Sequence, residues 1–95
     1  MEYFFVYMLK CSDDSYYIGH SDNIEKRLEE HNHGMCTYTK NKLPLQMVFI
    51  ERFLAREEAI EAEHKIKKWT RKKKEALIQK NWKLISNLSK KRFDQ

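Results

Sequence analysis

The apolar positions change their spacing along the chain, and the changes mark out its elements. Glu2 to Lys10 is a nearly continuous apolar run rich in Tyr, Phe and Val, the pattern of a buried strand. Ser12-Asp13-Asp14-Ser15 has turn composition, and Tyr16 to Gly19 resumes the strand pattern, so the pair predicts a β-hairpin. Ser21 or Asp22 can cap a helix running to about Asn32, with Gly34 just past its end. On that helix Ile24 and Leu28 are expected to face the core, with Arg27 and His31 as an i,i+4 pair on the adjoining face. His33 to Pro44 reads as a loop. Leu45 to Phe53 predicts a third strand on the strength of Val48, Phe49, Ile50 and Phe53.

Arg56 to about Trp69 then carries Ala59, Ile60, Ala62 and Ile66 at helical spacing, the clearest helix of the chain. Thr70 can cap a further helix through Ala76, Leu77 and Ile78. Trp82, Ile85 and Leu88 predict a short helical turn packing back on the sheet, with residues 90–95 frayed. The order ββαβα plus helical C-terminal material predicts an α+β domain over residues 1–80, a three-stranded sheet with helices against it. Residues 81–95 are expected as an extension that packs on the same domain or frays from it.

Composition narrows the class. At 95 residues, 41% of them hydrophobic and 13% aromatic, the chain is sized for one folded domain. No apolar run approaches the roughly 20 residues of a membrane span, and no signal-peptide pattern opens the chain. Cys11 and Cys36 match no zinc or redox spacing, and without an export signal reduced thiols and a cytoplasmic location are expected. Oligomeric state leaves no mark in the sequence.

The net charge of +5 divides unevenly. Residues 1–63 hold 7 Lys/Arg against 12 Asp/Glu, whereas residues 64–95 hold 12 against 2. The densest stretch is Lys65, Lys67, Lys68, Arg71, Lys72, Lys73 and Lys74. Such a block suits a polyanion such as nucleic acid, or else is simply a solvated helix face.

Several residues carry candidate chemistry, each with a plainer alternative. The rigid donor fork of Arg27 matches phosphate oxygens; otherwise the side chain pairs with Glu30 on the helix surface. Glu63 falls on the apolar side of its helix, between Ile60 and Ile66. A carboxylate there could hold one hard divalent cation, or it sits at the stripe's edge paired with Lys67. Tyr7 and Tyr17 are core strand residues or phenols that orient and deprotonate water, and a phenol with a pKa of about 10 needs a nearby cation for that. Tyr38 offers a third hydroxyl or a ring for stacking on a base. His31 suits proton transfer on the side of Arg27. His31, His33 and Cys36 lack the second ligand pair that a zinc site needs. With Gly19 and Gly34 the only glycines, no nucleophile elbow or phosphate-cradling loop is present.

Together these residues resemble the GIY-YIG nuclease superfamily, in particular its small single-domain bacterial members. The resemblance runs from about Tyr3 to Ile78 and rests on motifs in a fixed order. Phe5-Val6-Tyr7 stands for the first triplet and Tyr17-Ile18-Gly19 for the second. Asn23-Ile24-Glu25-Lys26-Arg27-Leu28-Glu29-Glu30-His31-Asn32 matches the arginine helix. Tyr38-Thr39 follows in the loop, and Glu63 within Ala62-Glu63-His64-Lys65-Ile66-Lys67-Lys68. There are three departures from the pattern. Phe5 replaces the first triplet's glycine, His20 stands where some members carry lysine, and the late asparagine of some members has no clear counterpart, Asn81 and Asn87 being candidates only.

The resemblance implies a three-stranded antiparallel sheet flanked by helices and a single Mg²⁺ or Mn²⁺ held by Glu63, with no organic cofactor. It implies that Tyr7 helps activate water and that Tyr17 positions the metal's hydration shell or the phosphate. Arg27 would stabilise the transition state, assisted by His31 through hydrogen bonding or proton transfer. The expected activity is metal-dependent hydrolysis of DNA phosphodiester bonds, in repair or recombination. Lys65 to Lys74 would supply phosphate contacts, and no membrane is involved. The alternative is a nucleic-acid-binding module with little or no cleavage.

Overall fold

The first strand of the chain becomes the middle of its sheet. In the computed structural model, which describes residues 2–80, β1 (Phe4–Lys10) lies between β2 (Tyr16–Ser21) and β3 (Gln46–Phe53), antiparallel to both. Helices α1 (Ile24–Asn32), α2 (Arg56–Lys67) and α3 (Arg71–Ile78) complete the expected order. The helical turn expected at Trp82, Ile85 and Leu88, the frayed end and the candidates Asn81 and Asn87 lie outside the described residues.

Strand alternation assigns the two faces different jobs. Val6 and Met8 of β1, Ile18 of β2 and Phe49 of β3 form the core with Ala59 and Ile66 of α2 and Ala76 and Leu77 of α3. Fully burying one such aliphatic side chain contributes about 1.5–3 kcal/mol, so this face carries most of the apolar drive. Tyr7 lies between Val6 and Met8 and points to the opposite face, where it meets His31 of α1. The buried residue of α1 is that histidine. Ile24 and Leu28, expected on a core face, are only half-buried because the helix meets the sheet through polar contacts.

Caps explain where the element ends moved. Asn23, rather than Ser21 or Asp22, caps α1, its Oδ1 accepting the Lys26 N–H at 3.1 Å. Ser21 is spent on the preceding turn, its hydroxyl donating to the Asn23 carbonyl at 3.0 Å. Gly34, at φ +73°, takes the left-handed position just past the helix. Helix α2 stops at Lys67 because the Lys68 and Trp69 N–H groups bond to carbonyls three residues back. That leaves Thr70 free to cap α3 by accepting the Lys73 N–H at 3.2 Å. In the hairpin, Asp13 Oδ1 accepts the Ser15 N–H at 3.0 Å, and the Arg71 guanidinium ties the turn to α3 through the Asp14 carbonyl at 2.6 Å. Cys11 and Cys36 are both free thiols. Among the described residues no helix is long and apolar enough to cross a membrane.

Candidate active site

Tyr7 sits opposite Gly19 in the antiparallel pairing of β1 with β2. The glycine is required by close approach: a Cβ there would come 2.6 Å from the Tyr7 hydroxyl and 2.7 Å from its Cζ. The Tyr7 ring therefore lies across the place where a side chain would stand, and it is wholly buried.

Two side chains close around its hydroxyl. Arg27 donates to it from Nε at 3.2 Å, and His31 Nε2 stands 3.0 Å away. The second ring nitrogen of His31, Nδ1, lies 2.8 Å from Thr39 Oγ1. Since Arg27 is always a donor, one arrangement satisfies every group. Tyr7 accepts from Arg27 and donates to His31 Nε2, which leaves the imidazole proton on Nδ1 for Thr39. Burial, and then the Arg27 charge, push the His31 imidazole below its usual value, so it is neutral near pH 7. Burial pushes the Tyr7 phenol up to about 12, against the lowering pull of Arg27. The resting pair is thus neutral phenol and neutral imidazole, and in this conformation the phenol has no surface open to water.

Tyr17, also on this face, is the half-buried phenol. Its ring centroid lies 6.2 Å from that of Tyr7, 5.0 Å from His31 and 5.5 Å from Tyr38. Tyr38 is exposed, with the Lys42 ammonium 4.0 Å from its ring centroid. Burial raises the Tyr17 phenol, against the pull of Arg27. Arg27 itself is half-buried and only partly spent, on Tyr7 through Nε and on Glu30 through Nη1 at 3.4 Å. The Glu30 pair expected from the spacing is thus present, beside a bond to Tyr7 that the spacing did not foretell.

Glu63 is not part of this network. His20 follows Gly19, so alternation turns its side chain to the α2 face, where Nδ1 meets Glu63 Oε1 at 2.7 Å. Lys67 Nζ lies 3.2 Å from Oε2, the helix pair that spacing allowed for, and His64 Nε2 lies 3.8 Å from the same oxygen. Burial would raise the Glu63 carboxyl, but the hydrogen bonds from His20 and Lys67 outweigh it and hold the group below the usual carboxylate range. No hydrogen bond joins Glu63 to either phenol. Strand β2 serves both groups, Tyr17 and Gly19 on one face and Ile18 and His20 on the other. Sequence reasoning left His20 without a role, although its place one residue after Gly19 was enough to aim it at α2. Thr39 was legible only as part of a motif, not as the partner of His31.

The basic stretch divides as well. Lys65, Lys68 and Lys72 are exposed, and Lys67 is exposed but paired with Glu63. Arg71 lies over the Tyr16 ring and pairs with Glu75 at 3.3 Å. Lys73 is buried, its ammonium 4.2 Å from the Trp69 ring centroid, so it faces the fold. Lys74 is half-buried, and burial, then Arg71, lowers its ammonium pKa. A cavity of about 320 Å³ between β3, α2 and α3 is lined by Phe49, Ile66 and Trp69 among others. Of the candidate residues among those described, only Lys65 borders it, so it belongs to the core side.

Residues 3–76 match the family profile described as the GIY-YIG catalytic domain. The chain belongs to the GIY-YIG family. It is 42% identical over 79 residues to a UPF0213 protein of Haloquadratum walsbyi, covering 82% of this chain and 89% of that one. With the UPF0213 protein YazA of Bacillus subtilis it shares 43% identity over 76 residues, 79% of this chain and 77% of the relative. A solution NMR structure of a UPF0213 protein from Bacillus halodurans matches with a TM-score of 0.56 at 33% identity, over 81% of this chain and 83% of that one. A protein of E. faecalis, also solved by NMR, matches with a TM-score of 0.60 at 40% identity, over 84% and 90% of the two chains. The antiparallel three-stranded sheet with helices is thus the fold of this GIY-YIG chain and of its solved neighbours.

The GIY-YIG resemblance brings with it a divalent ion, and the side chains can be tested for fit. Among the described residues no group of three His, Cys, Asp or Glu gathers into a ligand cage. Among the described residues Glu63 alone offers an anionic, hard oxygen donor in a buried position. That fits an ion of the Mg²⁺ kind, which takes one or two carboxylates and completes its shell with water and substrate phosphate.

Proposed function

We propose that this GIY-YIG protein is a divalent-metal-dependent endonuclease that hydrolyses DNA phosphodiester bonds, with a setting in repair or recombination. A cytoplasmic location and a nuclease unit over residues 1–80, with 81–95 appended, go with that reading. The observation that carries it is the bond from Arg27 to Tyr7, whose hydroxyl also meets a neutral, buried His31. A fixed cation is wired there to a pair that can hand on a proton, the equipment for charge that develops on a phosphate.

Because β2 is an edge strand, a phosphodiester lying along that edge can be reached from both faces of the sheet. Arg27 and Tyr17 would approach it from the α1 side, and Glu63 would hold the ion on the α2 side. Bound Mg²⁺ or Mn²⁺ supplies Lewis-acid polarisation of the phosphoryl oxygens and a lowered pKa for bound water. Arg27 neutralises the phosphate, with its unspent donors turned to the oxygens. Tyr17 orients the phosphate or its water shell. Once substrate binding opens its hydroxyl, which is closed to water in the resting site, Tyr7 would pass its proton to His31 Nε2 as its oxygen takes one from the attacking water, and Thr39 keeps the imidazole in the accepting tautomer. Tyr38 presents a ring to a base, and the exposed Lys65, Lys68 and Lys72 face the phosphate backbone. Lys67, Arg71, Lys73 and Lys74 contribute less, since each is engaged or covered.

The alternative of a binding module draws on the closed state of Tyr7 and on the two partners already on Glu63. One experiment separates them. Single-stranded, duplex and branched DNA are incubated with the wild-type chain, Glu63→Gln and Arg27→Ala, with and without Mg²⁺ or Mn²⁺. The endonuclease reading expects metal-dependent cutting that both substitutions abolish. Salt-sensitive binding without cutting selects the module, and neither binding nor cutting on any DNA ends both.

A further inference from the structure

Glu63 is the buried carboxylate of the described residues, and its two oxygens are engaged by partners of opposite character. Oε1 takes its 2.7 Å bond from His20, held on a strand that is 43 residues away in sequence. Oε2 faces Lys67 at 3.2 Å, one helical turn along α2. The His20 side chain is 32% exposed, whereas that of Lys67 is 51% exposed on a long flexible stem. Lys67 reaches the buried carboxylate from the solvent side, so its ammonium can swing back into water without disturbing the packing around Glu63. One partner is thus set in the sheet and the other is free to leave.

We propose that Lys67 keeps the place of the divalent ion at Oε2 and yields it when the ion binds, while His20 is a positioning residue that keeps its bond to Oε1 throughout. The inference rests on the reading of Glu63 as the ion's ligand. An ammonium and a divalent cation repel each other and cannot share one oxygen, so ion binding and the Lys67 contact exclude one another. The exchange never leaves the buried carboxylate without a positive partner, which would be costly. His20 fixes the rotamer of the carboxylate so that the remaining oxygen is the one presented, the part that hydrogen-bond partners of metal ligands play generally. Released Lys67 then stands at the mouth of the site with its charge free for a substrate phosphate.

The test reads ion binding directly, without nucleic acid. Mn²⁺ is titrated into the full chain and its free fraction followed by electron paramagnetic resonance, with far-UV circular dichroism as a check of fold. Lys67→Met is expected to tighten binding at low salt by at least about two- to threefold, the scale of a pair whose two partners are both exposed. His20→Ala is expected to weaken it about tenfold, as loss of a ligand's supporting bond does. His20→Asn, whose amide N–H can replace the imidazole donor, is expected to recover most of that loss. If Glu63→Gln abolishes binding while Lys67→Met fails to tighten it or His20→Ala leaves it unchanged, the proposal is overturned and the ion's site at Glu63 stands. If Glu63→Gln binds Mn²⁺ like wild type, the reading beneath it falls as well.

Discussion

His31 and Tyr7, 24 residues apart in the chain, meet at 3.0 Å between Nε2 and the phenol oxygen, and both side chains are fully buried. A helix is fastened here to the central strand by a polar bond where an apolar contact would ordinarily serve. Burial moves both groups further into their neutral forms, the imidazole downward and the phenol upward, and pH therefore reaches the fold through this pair.

The sign follows from the two shifts. The folded His31 lies below its usual value, so below about pH 6.5 the unfolded chain binds more protons and stability falls. Tyr7 is raised from 10.0 to about 12, so from about pH 10 upward the unfolded chain loses its proton first and stability falls again. Thermal melts should give a plateau between these limits. His31→Gln should flatten the loss between about pH 6.5 and 5, above the range where the lowered carboxyls of Glu63 and Asp13 contribute. An acid limb that His31→Gln leaves untouched would contradict a buried neutral imidazole.

Gly19→Ala probes the approach of Tyr7. In a strand this change ordinarily stabilises by limiting the unfolded chain. Here the added methyl would meet the phenol at 2.6 Å, so overpacking should cost about 1–3 kcal/mol instead. For a domain of this size the melting midpoint should drop by about 4–8 °C per kcal/mol. A midpoint that holds or rises would mean that the ring moves aside freely.

Much of the fold could be read in advance, because its elements announce themselves locally. The aromatic run of β1, the Ser12–Ser15 turn and the Thr70 cap each act within a few residues. The extent of α1 was right to within a cap because Gly34 stops it. What could not be read is how the layers meet. Ile24 and Leu28 have the spacing of a core face, yet His31 is the residue that reaches the sheet, since its buried hydrogen-bond partners among the described residues are Tyr7 of β1 and Thr39 of the loop. Tyr7, Tyr17, Arg27 and His31 were expected together and lie together. Glu63 was expected beside them, but alternation along β2 gives it His20 instead. Lys73 shows the same limit, since nothing in a run of lysines says which one turns inward onto Trp69.

Arg27→Lys keeps the charge and loses the fork. A lysine ammonium cannot bond Tyr7 and a phosphate in fixed relative geometry. Single-turnover DNA cleavage should fall by about 100-fold, with a melting curve close to wild type since Arg27 is half-buried. Cleavage within a factor of about three would mean that Arg27 acts only as a charge.

The lysines can be sorted by salt. Fluorescence anisotropy of DNA binding between about 50 and 200 mM salt gives the number of phosphates neutralised. Lys68→Ala and Lys72→Ala should each reduce that slope by about one. Lys73→Ala should leave the slope alone and lower the melting midpoint, because its stem and ammonium pack on Trp69. A reduced slope for Lys73→Ala would reassign it to the surface.

Strand β2 deals its residues alternately to two layers, Tyr17 and Gly19 to one, Ile18 and His20 to the other. A slip of one residue against β1 would trade the layers, sending His20 toward α1 and leaving Glu63 facing Gly19 or Ser21 according to its direction. The hairpin turn, remote from every reacting group, therefore acts as a counter. Its residues can drift, but an insertion or deletion that changes its length by one would silence the site while leaving each of its side chains intact.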